Sequence, residues 1–312
     1  MGRVRTNSLA AAALGVAVVL AAIGVGQETG ALSNWQALVL GVVQGITELL
    51  PISSSGHLIL VPWLANWTFL EENEGFNRAF DVAVHLGTAV AVVMYFAEDL
   101  ARLIRAWFVS VRERAVGTSD QRIAWFVIIA TLPALLVGGL FGGVIGDNLG
   151  EPWQIAIFLG VGGIVLWLAD QLPAKRSFSQ LSLGSAVGVG LFQCLALMPG
   201  VSRSGITITA GRLVGLDRDS AARFSFLLLI PVSIAAVGYT ALNDLLLGDL
   251  PAGWVGPFIV GSIAAFGSGL IAIDFLLSIV RRHTFAGFAI YRILAALFIL
   301  GLIASGARSA TF

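Results

Sequence analysis

"QGITELLPISSSGH", residues 44 to 57, breaks one of the longest apolar blocks of the chain with a glutamate, a proline, three serines and a histidine. A second stretch, "QCLALMPGVSRSGI" at 193 to 206, repeats its frame: Gln44 and Gln193 each precede Ser-x-Ser-Gly by the same offset. Around them the chain is 57% hydrophobic and 12% charged over 312 residues, with a mean hydropathy of +0.91. Soluble domains carry about a quarter charged residues. The apolar residues come in blocks of about 20, the length that crosses a bilayer as helix. The composition therefore predicts an all-α polytopic membrane protein. No ten-residue alternating strands point to a barrel.

A formal net charge of zero leaves no general footprint for nucleic acid, and none is expected as a partner. The single cysteine, Cys194, has neither a disulfide partner nor a metal-ligand companion and is read as packing. Residues 9–26 follow Arg3 and Arg5. They are read as a retained helix rather than a cleaved signal, because the run is long enough to span.

Continuous apolar spans are expected at 9–26, 79–97, 123–146, 153–170, 224–243, 254–280 and 284–305, with two broken blocks at 36–65 and 181–211. Basic residues sort the loops. Loop 98–122, with Arg102, Arg105, Arg112, Arg114 and Arg122, is placed inside, as are Lys175/Arg176 and Arg281/Arg282. The acidic segments 66–78, Asp147/Glu151 and Asp244/Asp249 are placed outside. Block 181–211 then starts and ends inside, and 36–65 starts and ends outside. Each is about 30 residues, too short for two full crossings. The expectation is one re-entrant helical hairpin from each face, an inverted-topology repeat, with both tips meeting inside the bundle. The domains read as 1–35 (extra helix and linker), 36–146 (first repeat), 147–180 (connecting helix and loop), 181–305 (second repeat) and 306–312 (tail).

The tips carry the chemistry. Gln44 and Glu48 share a helix face, Pro51 ends that helix, and Ser53, Ser54 and Ser55 open the next. In the second tip Pro199 and Gly200 break the chain before Ser202, Arg203, Ser204 and Thr207. Serines and backbone N–H groups at two facing helix N-termini, with a guanidinium between them, form an anion site suited to phosphate or diphosphate. Glu48 could hold a divalent cation bridging to that anion, or take a proton from Ser54 as nucleophile. Ser53 and Ser202 also read as simple caps. His57 reads equally as catalytic or orienting, Gln44 as a plain helix–helix hydrogen bond, and Glu48 with Arg203 as a mutual ion pair. Yet ionisable residues at membrane depth are costly and functional by default.

Asp81 and His85 border the cavity or face water. Asp274 snorkels or pairs, Arg292 needs a partner that the sequence does not identify, and Arg212, Asp217, Arg218, Asp219 and Arg223 read as a solvated loop. Pro133, Pro231 and the pairs Gly138/Gly139 and Gly162/Gly163 suit kinks and close helix packing.

"QGITELLPISSSGHLI" and "PGVSRSGITI" resemble the two signature motifs of the undecaprenyl-pyrophosphate phosphatases of the bacitracin-resistance type, and "FQCLAL", "FSFLL" and "FAIYR" are similar to that family too. The resemblance runs over about residues 35 to 303. It implies an integral membrane enzyme that hydrolyses undecaprenyl diphosphate to the monophosphate and phosphate, recycling the cell-wall lipid carrier in the bacterial cytoplasmic membrane with a site facing the extracytoplasmic side. It implies dependence on Mg²⁺ or Ca²⁺, with Gln44 and Glu48 at the metal. Glu48, Ser54, His57 and Arg203 fall on its catalytic motif positions, and Ser53, Ser55, Ser202, Ser204 and Thr207 on substrate-binding ones. Gln44 stands where some members have Glu, which shifts the carboxylate role onto Glu48. A homodimer is allowed. The rival reading is a transporter or flippase of an anionic isoprenyl phosphate lipid.

Overall fold

The structure, a computed structural model, describes residues 3–26, 32–174, 176–240 and 253–311. The topology markers Lys175, Asp244 and Asp249 and part of the 1–35 linker lie outside those residues. The described residues hold helices and no β-strand: α1 (Arg3–Ala22), α2 (Asn34–Leu49), α3 (Ser54–Ala65), α4 (Phe69–Glu72), α5 (Glu74–Tyr95), α6 (Ala97–Glu113), α7 (Ser119–Asn148), α8 (Pro152–Gln171), α9 (Leu183–Gln193), α10 (Arg203–Leu213), α11 (Arg218–Thr240), α12 (Val255–Val280) and α13 (Ala286–Ala304). Six of these, α5, α7, α8, α11, α12 and α13, are long and apolar enough to cross a bilayer. The chain is a polytopic helical membrane protein.

The two broken blocks are helical hairpins, α2–α3 and α9–α10, and local chemistry explains each break. Pro51 cannot donate an N–H, and its ring restricts the residue before it. Leu50 is accordingly extended, at φ −79° and ψ 147°. Met198 before Pro199 does the same at φ −82° and ψ 120°. The chain then re-enters helix through a serine in a left-handed conformation, Ser53 at φ 77° and Ser202 at φ 76°. Each caps its helix by accepting from the amide three residues on, Gly56 N and Gly205 N. A non-glycine residue held there costs on the order of 1–3 kcal/mol. The same strain thus appears at equivalent positions of both tips.

Packing brings the tips together. α12 is the central post, in contact with α1, α2 and α5, while α10 packs on α8, α9 and α11. α1 lays Ala10, Ala17 and Ala21 against α12 and its neighbours. α2 approaches α12 so closely that a Cβ on Gly45 would sit 2.0 Å from Ser268 Oγ and 2.4 Å from the Ala265 carbonyl. Across the tips, Ser204 Oγ donates to the Leu50 carbonyl at 2.8 Å.

Two expectations are corrected, and the partner that Arg292 needs is found. Segment 98–122 is not a loop for most of its length: Leu100, Leu103, Ile104, Trp107, Phe108 and Val111 recur at helical spacing and form α6. Trp125 of α7 donates to Ser110 of α6 at 2.9 Å, and Arg102 bridges Asp99 and Asp120. The group around Arg212 is not a solvated loop either. Arg212 is 4% exposed; it pairs with Asp170 at 3.0 Å, and Arg218 pairs with the same carboxylate at 2.7 Å. A buried arginine needs such a partner. Arg292, 1% exposed, finds its partners among carbonyls instead. It donates to Pro51 O (3.3 Å), Phe158 O (3.2 Å), Leu159 O (3.1 Å), Gly200 O (3.1 Å) and Val201 O (2.8 Å). One guanidinium thereby ties the breaks of both hairpins to α8, and the close pair Gly162/Gly163 leaves room for it.

Candidate active site

Glu48 closes the last turn of α2, on the face that also buries Ala37, Gly41, Gln44 and Gly45. It is 7% exposed, and both its oxygens are engaged. Oε1 accepts from Arg203 Nη2 at 2.9 Å. Oε2 accepts from Ser54 Oγ and from Gln44 Nε2 at 3.3 Å, and it faces His85 Nε2 at 3.4 Å. The ion pair foreseen between the tips is therefore present, but it is one contact of four. Gln44 bonds within its own helix rather than across to another. Its carbonyl Oε1 is buried and finds no hydrogen-bond partner among the described residues.

Arg203 is the first residue of α10, aimed back at the first tip. Its second nitrogen donates to the Ser225 carbonyl of α11 at 2.7 Å. One planar fork thus spans a carboxylate on α2 and a carbonyl on α11. Thr207, one turn on, lies 2.7 Å from the Arg203 carbonyl and 2.8 Å from Ser225 Oγ. Ser202 and Ser204 share a hydroxyl contact at 3.2 Å. Ser53 is buried as a cap, and Ser55 is half-buried with no side-chain hydrogen bond among the described residues.

His57 stands apart from the Glu48 cluster. Its Nδ1 lies 2.6 Å from the Ser53 carbonyl, and its Nε2 lies 2.6 Å from the hydroxyl of Tyr291, whose ring stacks on it at 15°. A carbonyl only accepts, so Nδ1 carries the hydrogen and Nε2 receives the tyrosine proton. Both ring nitrogens are thus engaged away from Glu48, Ser54 and Arg203. The structure brings Gln44, Glu48, Ser54 and Arg203 into one hydrogen-bonded set, with Ser204 and Thr207 at its edge.

His85 is the residue whose place the sequence left open. It comes from α5, and its Nδ1 lies 2.6 Å from the Asp81 carbonyl. A lone histidine on an apolar helix is usually a satisfied core residue; only its spacing from Asp81 hinted at more. Asp274, near the far end of α12, accepts from Tyr95 at 2.7 Å, and Cys194 Sγ points at the Gly190 carbonyl.

Two helix N-termini, a guanidinium and a hydroxyl hydrogen-bonded to a carboxylate make a set suited to phosphoryl chemistry. Residues 37–298 match the family model described as bacitracin resistance protein BacA. The undecaprenyl-diphosphatase of Pelobacter propionicus is 43% identical over 272 residues, covering 86% of this chain and 97% of the relative. That of Nocardioides sp. is 43% identical over 277 residues (88% and 98%). That of Thermomicrobium roseum is 46% identical over 283 residues (88% and 99%).

Proposed function

The chain belongs to the BacA bacitracin-resistance family, and from that premise we propose that it hydrolyses undecaprenyl diphosphate to undecaprenyl phosphate and inorganic phosphate. The observation that carries the reading is the Ser54 hydroxyl donating to Glu48 Oε2 while Arg203 holds Oε1. A transporter of the same lipid needs the anion site but not a hydroxyl poised against a base.

In this reading the terminal phosphate sits between the N-termini of α3 and α10. Ser54 Oγ attacks the terminal phosphorus, and its proton passes to Glu48 Oε2. The bond from that phosphorus to the bridging oxygen breaks, and undecaprenyl phosphate leaves. Water then attacks the phosphorus of the serine phosphate: its oxygen joins phosphorus, the phosphorus–Oγ bond breaks, Oγ takes back the proton held on Glu48 Oε2, and phosphate leaves with the water's oxygen and protons. Arg203, in place before the reaction, offsets the charge that spreads over the phosphoryl oxygens. Ser202, Ser204 and Thr207 complete the second wall.

A divalent cation, Mg²⁺ or Ca²⁺, belongs to this reading. The orphaned Gln44 Oε1 and the Glu48 carboxylate would hold it, two protein ligands being the number Mg²⁺ commonly takes beside substrate phosphates. When bound it supplies neutralisation of the diphosphate charge. The hairpins are read as re-entrant, in the bacterial cytoplasmic membrane, with the first opening to the extracytoplasmic face.

The test is phosphate release from undecaprenyl diphosphate by purified protein in detergent. Release is expected with Mg²⁺ or Ca²⁺, lost on chelation and restored on re-addition. No release with any cation would favour the transporter.

A further inference from the structure

The last side-chain torsion of a glutamate has no steep well of its own. Which oxygen of Glu48 faces Ser54 is therefore decided by the partners of the carboxylate. Gln44 lies one turn below on the same helix, so it holds the group only relative to α2. Besides Ser54 itself, two contacts come from other helices. Arg203 of α10 takes Oε1 at 2.9 Å, and His85 of α5 faces Oε2 at 3.4 Å. They grip the carboxylate from two elements. The second falls on the oxygen that accepts from Ser54.

The histidine is itself held. The Asp81 carbonyl, 2.6 Å from Nδ1, takes that nitrogen's hydrogen. This fixes the ring plane, and Nε2 meets the Glu48 carboxylate as a donor with a hydrogen of its own, so the ring in this contact is the imidazolium. α5 is anchored behind it: Phe76, Phe80 and Val84 are buried in a cluster with Leu40 of α2, and Ser262 of α12 donates to the Ala83 carbonyl at 2.8 Å. A histidine needing only a satisfied core position would have the carbonyl contact and no second one.

We propose that His85 is a positioning residue for the reaction, setting Glu48 Oε2 against the Ser54 hydroxyl through its Nε2. The role rests on Glu48 acting as the base for Ser54. It asks for a hydrogen-bonding atom at a given reach, and two amides separate reach from polarity. Glutamine places its terminal nitrogen as many bonds from Cβ as histidine places Nε2; asparagine falls one bond short.

The experiment compares H85Q and H85N in the phosphate-release assay, with detergent elution profiles checking that both are folded. H85Q is expected to keep kcat within about threefold of wild type. H85N is expected to lose about 10- to 100-fold in kcat with KM within about twofold, the cost of a misplaced reacting group. Equal kcat in the two variants, or a loss carried by KM, overturns the proposal. A readout independent of turnover comes from ¹⁵N-histidine labelling, practicable because the chain has 3 histidines. E48A should shift the ring resonances that H85Q removes. No shift overturns the contact even in an active enzyme. A shift in a protein whose wild type releases no phosphate overturns the phosphatase reading, and the positioning role with it.

Discussion

Replacing Arg203 by lysine keeps the charge and removes the fork. Arg203 serves two partners on two helices at once, Glu48 Oε1 at 2.9 Å and the Ser225 carbonyl at 2.7 Å. A single ammonium on a flexible stem can serve one of them. The variant therefore forfeits one charge-assisted hydrogen bond, about 1.5–3 kcal/mol. With tenfold per 1.4 kcal/mol, R203K should lose roughly 10- to 150-fold in kcat/KM. Alanine removes both contacts and leaves Glu48 buried without its guanidinium. Breaking a buried pair in that way costs about 3–5 kcal/mol, so R203A should fall by roughly 10²- to 10⁴-fold. The assay is initial-rate phosphate release from undecaprenyl diphosphate in mixed micelles at several substrate concentrations. R203K retaining more than about a third of wild-type kcat/KM would show that a point charge suffices and that the fork argument is wrong.

S54A should lower kcat by about 10³-fold or more while KM changes little; near wild-type turnover would move the nucleophile to a water beside Glu48. G45A should lower the melting temperature in detergent by about 3–10 °C, since the added methyl meets the Ala265 carbonyl, which cannot rotate away; an unchanged melting temperature would mean that α2 and α12 slide apart at no cost. A cysteine at Arg105, in a C194A background, should resist an impermeant maleimide added to intact cells if the basic residues of α6 follow the positive-inside rule; labelling from outside would reverse the topology.

The parts of this protein that could be read from its sequence are those that local chemistry decides. Pro51 and Pro199 end helices by what they lack and by what they do to Leu50 and Met198, and that constraint needs no neighbour. Glu48 and Arg203 were conspicuous because ionisable groups in apolar blocks demand a reason. His85 and Arg292 were not placed, for opposite causes. His85 acquires its meaning from Glu48 on α2, a helix far from it in sequence. Arg292 is satisfied by backbone carbonyls, which every residue has and which leave no mark in sequence. Asp170 and Arg212, 42 residues apart, escaped for the first reason. The arginines of α6 mark a charged segment, and its apolar residues at helical spacing, Leu100, Leu103, Ile104 and Trp107, mark the same segment as helix. The signal for the helix was there.

The equal strain at Ser53 and Ser202 invites a comparison of the two tips position by position. Where the first has Glu48 the second has Leu197, and where the first has Ser54 the second has Arg203. The stoichiometry follows. Two copies of the first tip, facing each other, would supply two acids and two hydroxyls with no cation to match them. Two copies of the second would supply two guanidiniums and no base. Only the unlike pair is electrically balanced and sets an acid and a hydroxyl against a guanidinium, and one chain supplies both of its members.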